Sequence, residues 1–395
     1  MKLDFLELAI LDDFKQAIND HSDFLIKRYS NFDGKNKINV IFSAKDWLHI
    51  VVNGMPNVNI HHDNDDIQSI NVMQFISLID LLSEAIQQIY RVLYNKKNYF
   101  LVKDKSIFQK GISDDQYFSH LRASFAAHPV NLTSFDGSES ESKYYASWSS
   151  KHGKGDFSVY LYSNKPGEPN RELSISFDLL IKYAKKRYLL LEEYVKEIKR
   201  QEKDHNNNWS KISIKNENDP LTHLLILKEE NQKRFGNYGY KEVIEELIEL
   251  FEAPMKFPSD NELYINFLNK LKPAIQEIHQ NLQNMNNIDL SIYPYPRTYT
   301  VKKLRDFRYD FEKFGEHFTN PYKQNKDNLV SYHLNRLIKE GILPEYASLD
   351  MDKRDLRLLY YSWLEKHGAS IVTPVYDYDF TNRKVEITFI DDLDE

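Results

Sequence analysis

The feature that most constrains this chain is a run in which Val72, Phe75, Ile76, Ile79, Leu82, Ile86, Ile89 and Leu93 recur three and four positions apart, with no Gly or Pro among them. At about 3.6 residues per turn these side chains form one long apolar stripe. Such a stripe is buried only by other helices packed around it, so a helical bundle is expected. Shorter stretches of the same period surround it. They fall at residues 5–29, at 113–128, and from Ser174 or Phe177 to about Lys203. The second of these has Ser113 as a cap and Asp114 and Asp115 in the first turn, where the helix dipole favours acids. Six more helices are expected at 221–232, 240–252, 260–285, 302–317, 328–340 and 353–367, with Pro254, Pro258, Pro294, Pro296, Pro321 and Pro344 as breaks. Pro273 is expected to kink or divide the third.

Strand signals are fewer. Residues 38–42 and 47–52 are β-branched and aromatic and close at Asn53-Gly54, which reads as a hairpin. Residues 144–148 and 157–162 alternate on either side of Lys151-His-Gly-Lys-Gly155 and read as a second, with a basic turn. Residues 375–377 and 384–389 read as a small terminal one. The expected fold is therefore mainly α: an N-terminal helical bundle with two β-hairpin insertions, followed by an α-helical C-terminal domain ending in a small hairpin. The boundary is placed at Asp204-His-Asn-Asn-Asn208, a polar stretch with nothing to bury, giving domains 1–204 and 209–395.

Composition narrows the function classes. At 395 residues, 41% hydrophobic and 28% charged, the chain has enough apolar material for two ordinary cores. It contains no cysteine, which excludes disulfides, thiol catalysis and cysteine-ligated metals. The net charge of −7 argues against a general polyanion binder and leaves a local basic cleft open. No uninterrupted apolar run of membrane-spanning length is seen, and the first residues carry acids that a signal peptide would not tolerate. A cytoplasmic protein with no membrane partner is expected.

The most chemically suggestive stretch is Leu121–Pro129, LRASFAAHP, which puts Arg122 and His128 at the end of a predicted helix. On a regular helix the two side chains project about 120° apart, so His128 is expected at the fraying end, where Pro129 turns the chain. A cation and an imidazole acting together suit a phosphodiester: one stabilises developing charge and the other moves a proton. A structural role serves equally well, with His128 meeting the negative end of the helix dipole and Arg122 pairing with Asp115 or Glu141.

A helical bundle with Arg-x-x-x-x-x-His at the end of its third helix resembles the HEPN family, in which an Arg is followed after four to six residues by a His. The resemblance covers roughly residues 1–204. It implies a metal-independent endoribonuclease acting across a dimer cleft where two motifs meet, with Arg122 stabilising the phosphorane and His128 transferring the proton at the 2′-hydroxyl or the leaving oxygen. It also implies a toxin or phage-defence effector, a homodimer, and an antitoxin or other partner protein. Ala123 stands where the family often has a polar residue. Tyr117, His120, Ser124, Asn131 and Thr133 flank the pair as candidate RNA contacts, and Lys151 or Lys154 could reach the RNA backbone.

Residues 328–342, NLVSYHLNRLIKEGI, resemble the recognition helix of winged-helix DNA-binding domains, with Ser331, Tyr332, Asn335 and Arg336 toward the major groove. The plain alternative is an ordinary helix ended by Gly341 with Pro344 beyond. No metal centre is expected, because His61, His62, Asp63, Asp65 and Asp66 are nearly consecutive and read as a solvated loop. Phosphate-loop, dinucleotide and serine-hydrolase motifs are absent from the sequence. The favoured expectation is metal-independent RNA cleavage with no cofactor. The other two readings are a nucleic-acid-binding regulator and a non-catalytic protein-interaction scaffold.

Overall fold

Around the long apolar run the computed structural model builds a first unit, Met1–Asp204, and beyond it a second, His205–Glu395. Residues 6–135, 138–148, 155–297, 302–319, 328–372, 375–379 and 384–388 are described. The first unit begins with α1 (Leu8–Asp20), α2 (Ser22–Tyr29), α3 (Ile38–Gly54), α4 (Asp65–Leu93) and α5 (Asp114–Arg122). Four strands follow, β1 (Leu132–Phe135), β2 (Ser138–Trp148), β3 (Phe157–Ser163) and β4 (Arg171–Ile175), and then α6 (Phe177–Tyr188) and α7 (Leu190–Trp209).

Helix α4 is the centre of this unit. Asn64 starts it by accepting hydrogen bonds from the amides of Asp66 and Ile67, and Asp65 and Asp66 complement the positive end of the helix. Val72, Phe75, Ile76 and Ile79 are wholly buried, each contributing about 1.5–3 kcal/mol. Among the described residues α4 is also the helix long and apolar enough to cross a membrane; here α3 and α6 pack along it.

The expected hairpin over 38–52 is instead the helix α3. Its β-branched residues favour strands, but the buried set Ile38, Ile41, Ala44, Leu48, Val51 and Val52 has helical spacing. Packing against α4 overrides the local preference, and Asn53-Gly54 closes the helix. The stretch 5–29 divides into two helices at His21, and 174–203 divides at Leu189. The second expected hairpin is present and is extended on both sides into an antiparallel meander, β1-β2-β3-β4. Its central register runs from Tyr144 opposite Ser163 to Trp148 opposite Val159. Asp204–Asn208, expected as an unstructured linker, is helical, because α7 continues to Trp209. Once a helix is nucleated, extending it through weak formers costs little.

The second unit contains α8 (Pro220–Arg234), α9 (Lys241–Phe251), α10 (Asn261–Gln283), β5 (Ile292–Arg297), α11 (Lys302–Arg305), α12 (Arg308–Thr319), α13 (Asn328–Lys339), α14 (Lys353–Lys366), β6 (Ser370–Val372), β7 (Val375–Asp379) and β8 (Lys384–Thr388). Leu224, Leu247, Phe267, Ile278, Phe314 and Leu359 lie in its core at 0% exposure. Pro273 lies inside α10 without dividing it, whereas 302–317 forms two helices rather than one. Strands β7 and β8 form the expected terminal hairpin, and β5 pairs with β6.

Candidate active site at the end of the fifth helix

Helix α5 starts at a capping box: Ser113 accepts from the amide of Gln116, whose side chain accepts from the amide of Ser113. Tyr117, Phe118 and Leu121 face the core, Phe118 stacking on Tyr183 with ring centroids 4.5 Å apart. After Arg122 the helix widens into a π-helical turn, Ala123–Ala127, closed by the amide of His128 donating to the carbonyl of Ala123 at 2.9 Å. Such wide turns are uncommon and recur at functional sites. Phe125, wholly buried, fixes the turn against Trp148 and Phe157 of the sheet, at 6.2 and 6.4 Å. His128 then leaves helical geometry at φ −139°, ψ 44°.

Arg122 does not pair with Asp115. Its Nη1 donates to Oδ2 of Asp80, in the middle of α4, at 2.8 Å. Its side chain is 40% exposed and that of Asp80 34%. Nε of Arg122 and Oγ of Ser124 are buried with no hydrogen-bond partner among the described residues. His128 is exposed. No hydrogen bond or ring contact joins Arg122 to His128; the motif presents them separately, one tethered to α4 and one at the helix end. Glu141, the other partner considered for Arg122, has no described side chain.

The flanking candidates divide. Asn131 is exposed and its amide donates to the His128 carbonyl at 3.1 Å. His120 is half-buried. Tyr117, 5% exposed, packs on Phe108 at 4.8 Å, and Ser124 is wholly buried, so both are core positions and not the RNA-facing ones expected. Apolar neighbours on the inner face of α5 and its π-turn account for this. Lys151 and Lys154 lie outside the described residues, as does the side chain of Thr133.

Sequence reasoning missed the polar network that holds α5. Arg187 of α6, wholly buried, donates from Nε and Nη2 to Oδ1 of Asp115 at 3.0 and 2.5 Å. Tyr183 donates to the same oxygen at 2.8 Å, and Tyr99 to Oδ2 at 2.6 Å. The Arg187 guanidinium also lies 3.4 Å over the Tyr183 ring. Burial alone would lower the pKa of Arg187, but Tyr183, Tyr99 and Asp115 beside it reverse the sign and hold it above the ordinary value. Burial raises the pKa values of Tyr99 and Tyr183. The carboxylate thus ties α5, α6 and the segment before α5 into one piece. Asp80 carried a legible signal: between Asp66 and Glu84 it is the single acid in an otherwise apolar or neutral run.

In the second unit Arg336 donates to Asp310, with Nη1 at 3.2 Å from Oδ2, and lies over Phe307. The same carboxylate bonds the buried His333 at 2.8 Å. Arg336 is thus tied back to α12, an arrangement that leaves less of its guanidinium for a base edge. Residues 320–327, which would form the turn of a helix-turn-helix, lie outside the described residues. The loop before α4 folds on itself, with His62 Nδ1 accepting from the Asn64 amide at 3.0 Å and His61 against Phe177 at 5.3 Å. Among the described residues no three His, Asp or Glu side chains are grouped to hold a metal ion. Compared with family models, with curated protein sequences and with solved structures, the chain matches none.

Proposed function

We propose that the first unit is a metal-independent, HEPN-like endoribonuclease in which Arg122 and His128 do the chemistry. The observation that carries this reading is the way the motif is presented: a half-exposed guanidinium anchored through one amine on Asp80, and an exposed imidazole where a π-helical turn ends. His128 would accept the proton of a ribose 2′-hydroxyl as that oxygen attacks phosphorus, and the 5′-oxygen would leave with a proton. The products are a 2′,3′-cyclic phosphate and a 5′-hydroxyl. Arg122 would stabilise the charge on the phosphorane oxygens. A homodimer would supply the second His128 for the leaving oxygen, and the context is a cytoplasmic toxin or phage-defence effector restrained by an antitoxin or other partner protein.

The test is cleavage of single-stranded RNA by the full chain in EDTA. Cyclic-phosphate ends should form, and His128→Ala, at an exposed position, should retain its fold while losing about 10² or more in rate. Equal cleavage by both proteins removes the assignment.

A further inference from the structure

The meander that follows the motif has two unlike faces. Tyr144, Val159, Leu161, Leu173 and Ile175 of the inner face are buried. The outer face carries tyrosines. Tyr145 of β2 sits directly opposite Tyr162 of β3, and Ser147 sits opposite Tyr160. Tyr145 and Tyr162 are each 41% exposed, and no ring contact joins them. Cross-strand neighbours are about 4.5–5.5 Å apart at Cβ, so the two rings form one aromatic surface without covering each other. Lys143, in the same alternation as Tyr145, is exposed and has no carboxylate partner among the described residues. Among the described side chains of this face the acid is Glu172, which is opposite Tyr160 and accepts from the hydroxyls of Ser158 and Ser174; the side chains of Glu139 and Glu141, earlier in β2, lie outside the described residues.

This surface adjoins the motif. The amide of Ala146, next to Tyr145, donates to the carbonyl of Pro129, next to His128, at 2.6 Å. Leu132 is then opposite Tyr144, so the chain leaving His128 runs along the edge of β2. Strands are spaced about 4.8 Å apart, which sets Tyr145 one strand and Tyr162 two strands in from that edge.

We infer that the outer face of this sheet binds the unpaired bases of single-stranded RNA, stacking them on Tyr145 and Tyr162 with Lys143 toward the backbone. Exposed aromatic rings on an open sheet are suited to this, because every base has a π-face and none is available in a duplex. A backbone phosphate complements Lys143, which has no carboxylate partner among the described residues, and continuity with His128 delivers the strand to the cleavage position. The inference rests on the ribonuclease reading for its purpose and is measured without it.

The experiment is fluorescence anisotropy of a labelled single-stranded RNA 12-mer with full-length His128→Ala protein. Adding Tyr145→Ala with Tyr162→Ala should weaken binding about tenfold or more, whereas Tyr145→Phe with Tyr162→Phe, which keeps the rings, should bind like the parent. The same sequence as a duplex should compete poorly. Binding unchanged in the Ala pair, binding lost in the Phe pair as in the Ala pair, or no binding by the parent at low salt would each overturn the inference. So would loss of self-association in the Ala pair with RNA binding intact, which would make the face a contact between copies. If RNA binds through the tyrosines but the His128-intact protein never cleaves it, the catalytic reading fails and the platform stands. Cleavage with an unchanged KM in the Ala pair gives the reverse.

Discussion

Asp80 accepts a 2.8 Å hydrogen bond from Nη1 of Arg122, across 42 positions of sequence. The contact joins the longest core helix to the motif and fixes the direction of a guanidinium that would otherwise sweep a wide arc. Because both side chains are more than a third exposed, the pair adds little to stability, about 0–1 kcal/mol. Its expected effect is on orientation. In Asp80→Asn the melting temperature should stay close to wild type while kcat for RNA cleavage falls about tenfold, with KM little changed. Asp80→Glu, which keeps the carboxylate, should recover part of the rate. Full activity in Asp80→Asn would show that Arg122 needs no tether.

The Asp115–Arg187 pair behaves oppositely, because its guanidinium is wholly buried and its carboxylate only 19% exposed. Removing one partner strands a charge away from water, which typically costs about 3–5 kcal/mol. Asp115→Asn, which leaves the wholly buried Arg187 cation without a counter-charge, is therefore expected to shift the urea midpoint strongly, and Arg187→Met somewhat less, since the partly exposed Asp115 carboxylate still accepts from Tyr99 and Tyr183. If Arg187→Met melts with wild type, the network is ornamental to stability and α5 is held by its apolar face alone.

Acid should weaken the second unit through its histidine pair. Nε2 of His223 lies 2.9 Å from Nδ1 of His279. Burial lowers the pKa of His223, helped by His279 and opposed by Glu217; burial, then Arg234, lowers that of His279. Both folded-state values lie below the unfolded value of about 6.5. The unfolded chain therefore binds protons first, so this stabilisation is present above about pH 6.5 and is lost as the pH falls through the depressed folded-state range. Comparing urea midpoints at about pH 7.5 and pH 5.5, His279→Gln should show a shallower loss than wild type. Identical slopes would place the acid sensitivity elsewhere.

How much could be read in advance depended on whether the signal was local. The stripe of α4 and the cap at Ser113 involve neighbours in sequence, and both are where periodicity and capping chemistry put them. Residues 38–52 misled because β-branched side chains are judged by their own preference, whereas burial against α4 depends on a partner absent from any local window. For the candidate site, the sequence indicated Arg122 and His128 but not their surroundings. Asp80, Arg187 and Tyr99 reach the motif helix only after the chain has folded back. The burial of Tyr117 and Ser124 likewise depends on which side of α5 meets the core, and a short helix with few apolar residues leaves that choice open.

The π-turn between Arg122 and His128 closes through a hydrogen bond five residues long rather than four. A helix that widens one turn absorbs a single inserted residue while everything on either side keeps its packing. Deleting Ala126 or Ala127, which follow the buried Phe125, would return the turn to ordinary winding and shorten the interval between the arginine and the histidine by one residue, with the bundle on either side left in place.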